Sequence, residues 1–168
     1  MKIETKAFDN VKNQIGYCAI WCGSCVVGNG ALKEVTRKYE HIIDGYGIDE
    51  WGAQEQGFNG QELMKALKGI QNIPICFGCR KGGGNLSCKI RPCASNKNLN
   101  DCTECKDFMK CENREPLNKV RTGAFNVGMI IRTNEDKTDQ QRLIKKWTKE
   151  IAAKFPSSVI LCERDSEQ

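Results

Sequence analysis

The stretch "YCAIWCGSC" at residues 17–25 sets three thiols close together, Cys18, Cys22 and Cys25. Ionised cysteine sulfur is a soft ligand of the kind that Zn²⁺ and iron–sulfur clusters take. Four more follow as Cys76, Cys79, Cys88 and Cys93, and then three as Cys102, Cys105 and Cys111. The middle four are separated by short loops with Gly78, Gly82, Gly83 and Gly84, whose backbone freedom suits tight loops, and they read as one closed tetrahedral site. The first triplet is one ligand short, and the 102–111 triplet is its natural donor. A metal shared this way would tie the N-terminal segment to the far end of the cysteine-rich stretch. Two thiols are then left over, unless those six wrap two metals through shared thiolates. Cys162 stands apart in an apolar run and reads as a small buried residue.

In a secreted chain, 11 cysteines would suggest a disulfide framework. Here the count is odd and most thiols come in CxxC pairs. The N-terminus "MKIETKAFDNVKNQIG" lacks the apolar block of a secretory signal. A reducing, cytoplasmic setting is expected, where such pairs bind metal rather than one another. No apolar run approaches the ~18 residues that span a bilayer. The formal net charge of +5 invites a nucleic-acid reading. Ten thiolates around two Zn²⁺ ions would together carry six negative charges and bring that balance to about −1, so the cations read first as counter-charge to the chain's own metal sites.

The positioning elements follow from pattern. Residues 30–44 read as a helix with Ala31, Leu32, Val35, Tyr39, Ile42 and Ile43 as its apolar stripe, Asn29 as cap and Gly45 as stop; His41 lies off the stripe, in solvent. Residues 44–60 read as a glycine-rich loop anchored on the core by Tyr46, Trp51 and Phe58. Asn59 with Glu62 signals a second helix, with Leu63, Met64, Leu67 and Ile70 on its apolar face. Residues 76–111 carry seven thiols and few core formers, so burial alone cannot fold them. Beyond Pro116, alternation at Val127, Met129 and Ile131 predicts a strand. A helix capped by Thr133 or Asn134 follows, with an acidic first turn (Glu135, Asp136, Asp139), lysines at its end and a stripe of Leu143, Ile144, Trp147, Ile151 and Phe155. Pro156 stops it, and residues 158–162 predict a second strand, giving a right-handed parallel β-α-β unit. The expected fold is α+β: a mostly helical, metal-stapled domain over 1–115 with a small β-α-β-like extension over 116–168.

With "YCAIWCGSC", "CFGC" at 76–79, "CKIRPCA" at 88–94 and "CTECKDFMKC" at 102–111 in order, the chain resembles a prokaryotic family of small cysteine-rich proteins, domain-of-unknown-function family 3795, over about residues 15–115. Ala19 stands where members usually carry glycine. The resemblance implies metal binding and a related fold, and no activity.

The favoured function is a non-catalytic binding or adaptor module with structural Zn²⁺, its partner another protein and its oligomeric state open, because an all-thiolate zinc site has no free position for substrate. The alternative is an iron–sulfur protein with a redox or metal-trafficking role, since Cys18-x3-Cys22-x2-Cys25 has the spacing that holds a [4Fe–4S] cluster in radical S-adenosylmethionine enzymes. A further alternative is a nucleic-acid-binding zinc module built on Arg80, Lys81, Lys89, Arg91 and Lys97, with Phe77 and Phe108 for stacking. One histidine leaves no basis for a Ser-His-acid centre, and "RKGGGN" lacks the Lys-Ser/Thr end of a phosphate loop.

Overall fold

The structure, a computed structural model, describes residues 9–11, 14–132 and 140–154. Besides a helical stretch at residues 9–11, six α-helices run through the described residues: α1 Ala31–Gly45, α2 Ala53–Gln56, α3 Gly60–Gln71, α4 Ile90–Asn96, α5 Arg114–Asn126 and α6 Gln140–Lys154.

The expected β-α-β unit is absent, and no sheet forms among the described residues. α5 runs through Asn126 and closes on Gly128 (φ +75°), with the Met129 N–H returning to the Ala124 carbonyl. Val127 and Met129 therefore belong to the end of a helix. The chain then lies antiparallel to the N-terminal thiol loop. Trp21 N–H donates to the Ile130 carbonyl (2.8 Å) and Arg132 N–H to the Ala19 carbonyl (2.7 Å), leaving one isolated bridge between Ile20 and Ile131. The second predicted strand and Cys162 lie outside the described residues, as do Thr133, Asn134, the acidic first turn and Phe155.

The apolar core sits where these pieces meet. Trp21, Ala31, Ile130, Leu143, Trp147 and Ile151 form one buried cluster, so α6 turns its predicted stripe onto the thiol loop. Gly128 has to be small there, because a Cβ would stand 3.2 Å from the Ile151 backbone. Ala19, in the family's glycine position, adopts φ +67° with its methyl fully buried. An L-residue in that region costs roughly 1–2 kcal/mol, partly offset by the burial.

α1 and α3 pack as a second unit. Asn59 caps α3 as predicted, its side chain accepting from Glu62 N–H at 3.0 Å. Asn29 secures the start of α1, accepting from Ala31 N–H (3.0 Å) and donating to the Gly23 carbonyl (2.9 Å). The 44–60 stretch is not a loop: a π-turn, Ile48–Gly52, runs into α2, and a Cβ on Gly60 would stand 1.8 Å from the Asp49 carbonyl oxygen. The aromatic anchors are not buried either. Tyr46 is 75 % and Trp51 57 % exposed, the indole donating to the Tyr46 carbonyl, and Tyr39 and Ile42 on α1 also face outward.

Candidate metal centre

Short 3₁₀ turns present the sulfurs. Cys22–Ser24 leads into Cys25, Cys102–Glu104 into Cys105, and Phe108–Lys110 into Cys111, each closing cysteine in extended conformation. In a three-residue turn, side chains at i and i+3 lie on one side. Each CxxC pair in such a turn therefore presents two sulfurs in one direction. Asp101 sets the second turn by accepting from Thr103 N–H at 2.8 Å.

The thiols sort differently from the sequence grouping. Cys18, Cys22, Cys25, Cys76, Cys79 and Cys88 line one cavity of about 220 Å³. Cys93, Cys102, Cys105 and Cys111 line a cleft of only about 10 Å³. Cys93 thus leaves the middle group for the last triplet, and the first triplet is completed by Cys76, Cys79 and Cys88. Buried Ile90, at the start of α4, causes the split: it lines both spaces and stands between Cys88, just before the helix, and Cys93 on its far side. All ten cysteines are half-buried and form no disulfide. Among the described residues, no three His, Cys, Asp or Glu side chains are set to hold a metal ion as they stand.

The six-thiol cavity is held by contacts that composition did not reveal. Buried Gln14 donates to the Phe77 carbonyl (2.9 Å), accepts from Arg80 N–H (3.1 Å) and lies 3.8 Å from the Cys22 sulfur. Cys76 is fixed through its N–H to the Val27 carbonyl, and its sulfur accepts from Gly78 N–H at 3.4 Å. Arg80 donates to the Ile15 and Asn100 carbonyls and covers the Tyr17 ring. Arg91 donates to the Gly83 and Asn85 carbonyls. Cys79 is held below the ordinary thiol range, to about 6, chiefly by the Cys22 thiol bonded to it, with Arg91 and Arg80 adding to the effect. Donating that bond pushes Cys22 up, and burial pushes up Cys18.

The four-thiol cleft adjoins this cavity. Cys102 N–H donates to the Tyr17 carbonyl, and Arg121 Nε donates to the Cys18 carbonyl (2.9 Å). Burial pushes Cys102 up to about 11, with Arg121 pulling the other way. Phe108, one expected stacking residue, lies between Arg114 and Arg121 instead. A buried ion pair fastens the cleft's turn to the C-terminal part, with Arg132 Nη1 2.6 Å from Asp101 Oδ2. None of Gln14, Asp101, Arg121 and Arg132 carried a metal-site signal in the sequence.

A family match spans residues 14–116, to the family described as Protein of unknown function (DUF3795), and it takes in all ten of these thiols. The chain belongs to the DUF3795 family. Neither the curated proteins nor the solved structures contain a match to it. Membership of DUF3795 carries no assigned chemistry, so any activity has to be argued from the two thiol groups themselves. No helix among the described residues is long and apolar enough to cross a membrane.

Proposed function

We propose that the protein is a metal–thiolate module whose four-cysteine cleft takes a structural Zn²⁺ and whose role is non-catalytic binding of another protein in the reducing cytoplasm. The observation that carries this reading is the sorting of ten half-buried thiols into groups of six and four with none left between them. Cys93, Cys102, Cys105 and Cys111 are a full tetrahedral set of soft donors around a space that suits one atom, and an all-thiolate zinc centre leaves no position for water or substrate. Arg121, beside Cys102, and Lys97, within electrostatic reach of Cys93 and Cys105, offset the negative charge such a centre would carry.

The exposed Tyr39, Tyr46 and Trp51 on α1 and its π-turn support a protein partner, since such aromatics anchor interfaces. The nucleic-acid reading draws less support: Arg80 and Arg91 are spent on backbone carbonyls beside the thiols, and Lys97 pairs with Asp107 at 2.9 Å. Elemental analysis of protein purified without oxygen or chelator tests the proposal. Zinc is expected, and Cys102→Ser should lower it. Folded protein free of metal, with all these thiols open to alkylation, would reject it.

A further inference from the structure

We propose that the six-cysteine cavity is an iron–sulfur site, in which four of its six sulfurs hold a cubane [4Fe–4S]-type cluster. This deepens the reading above and rests on its premise that these thiols ligate metal. Size is the first argument. One water needs roughly 10–15 Å³, and the four-thiol cleft has about that much space. The six-thiol cavity, at about 220 Å³, has more than ten times as much. One or two bare zinc ions would leave most of that volume empty. An iron–sulfur cluster brings its own inorganic sulfide and fills it.

The walls agree. Val11, Ile20, Ile90, Val120 and Met129 make the cavity largely apolar, the kind of surrounding that excludes solvent from a cluster and tunes its potential. The backbone at Gly16 and Gly83 passes close against the sulfurs. A Cβ on Gly16 would stand 3.2 Å from the Cys79 sulfur and 3.4 Å from that of Cys18, and one on Gly83 would stand 2.9 Å from that of Cys76. Glycine at these places keeps side chains from crowding the sulfurs. The Gly78 N–H on the Cys76 sulfur is the hydrogen bond that cluster thiolates characteristically accept. Arg91 lines the cavity and Arg80 lies with it within electrostatic reach of Cys79, so both would offset a net negative cluster. As each iron–sulfur bond forms, the ligating thiol gives its proton to solvent. Iron, half of it ferrous and half ferric, and sulfide are supplied from outside, so the cluster forms without any electron being given up or taken by the protein.

The test uses the full chain, purified anaerobically and reconstituted with equal portions of ferrous and ferric iron and with sulfide. Iron, acid-labile sulfide and zinc are then quantified beside the visible and Mössbauer spectra. The expected result is iron and labile sulfide in equal amounts, a brown colour, and zinc retained. Changing Cys18, Cys22 and Cys25 together to Ser leaves three cavity thiols, too few for a four-sulfur site, and should lower iron and sulfide at least tenfold and leave zinc in place. Exposing the wild-type protein to air with an iron chelator should bleach it with the same selectivity, which keeps the test open should the variant fail to fold. Zinc filling the six-thiol cavity, or a cavity whose thiols alkylate freely while zinc sits in the cleft, overturns the cluster and spares the zinc reading. Iron and sulfide without zinc does the reverse, and a protein that takes neither overturns both.

Discussion

The Trp21–Trp147 end of the molecule and the stretch from Cys76 to Cys111 hold their shape by different means. At the first, an indole, a helix stripe and the turn after α5 exclude water together, and six apolar side chains close one cluster. In the second, Ile90 and Ala94 are the buried apolar side chains, and the backbone passes from one short turn to the next. Order there depends on cross-links between segments, some made by arginines on carbonyls and the rest, on the reading above, made by metal. A protein this size can divide the work in that way, with burial fastening the termini of the fold and coordination fastening its middle.

Metal removal should separate the two ends most sharply. Stripping zinc and any cluster should cost on the order of 10 kcal/mol per structural site. In hydrogen exchange, protection should vanish over residues 76–111 and persist in α6, which carries Leu143, Trp147 and Ile151 of the apolar cluster. Equal loss across both regions would erase the distinction. Trp147→Ala should do the opposite, costing about 3–5 kcal/mol through the cavity it leaves, with metal content unchanged. Chemical denaturation read beside zinc content checks it. Asp101→Asn strikes the joint between the regions. The amide keeps the turn's cap but leaves Arg132 with Glu104, at 3.8 Å, as its remaining carboxylate, so a loss of about 3 kcal/mol is expected, with both regions loosening in hydrogen exchange. Asn59→Ala removes one cap from α3 and should lower stability by only about 1 kcal/mol, with no effect on metal.

Which residues would matter was legible in the sequence wherever one side chain acts through its own chemistry. The Asn59 cap was found that way, as was the α6 stripe at Leu143, Trp147 and Ile151, and the ten thiols were picked out as candidates by the same kind of reasoning. Which thiols share a space was not legible. That depends on the side of a short helix where Cys93 emerges and on Ile90 standing between it and Cys88, a matter of tertiary placement. α5 escaped notice because its two buried residues, Leu117 and Ala124, lie two turns apart, too sparse a stripe for periodicity. Alternation from Val127 to Ile131 suggested a strand, and Gly128 at a helix end produced the same pattern for another reason. In the 44–60 stretch, glycines at 45, 47, 52 and 57 argued for a loop and disguised the π-turn, while Tyr46 and Trp51 were assigned to a core they do not enter.

The Asp101–Arg132 pair has a consequence for anyone excising the conserved-looking piece of this chain. A polypeptide ending at residue 116 would retain all ten of these thiols yet lack the guanidinium that pairs with a carboxylate of no solvent access, and the apolar side chains packed against Trp21 from beyond residue 116 would be missing as well. The same holds for a nascent chain at the ribosome, where the thiols emerge well before the residues that complete their support. Final closure of the fold waits on the last arrivals.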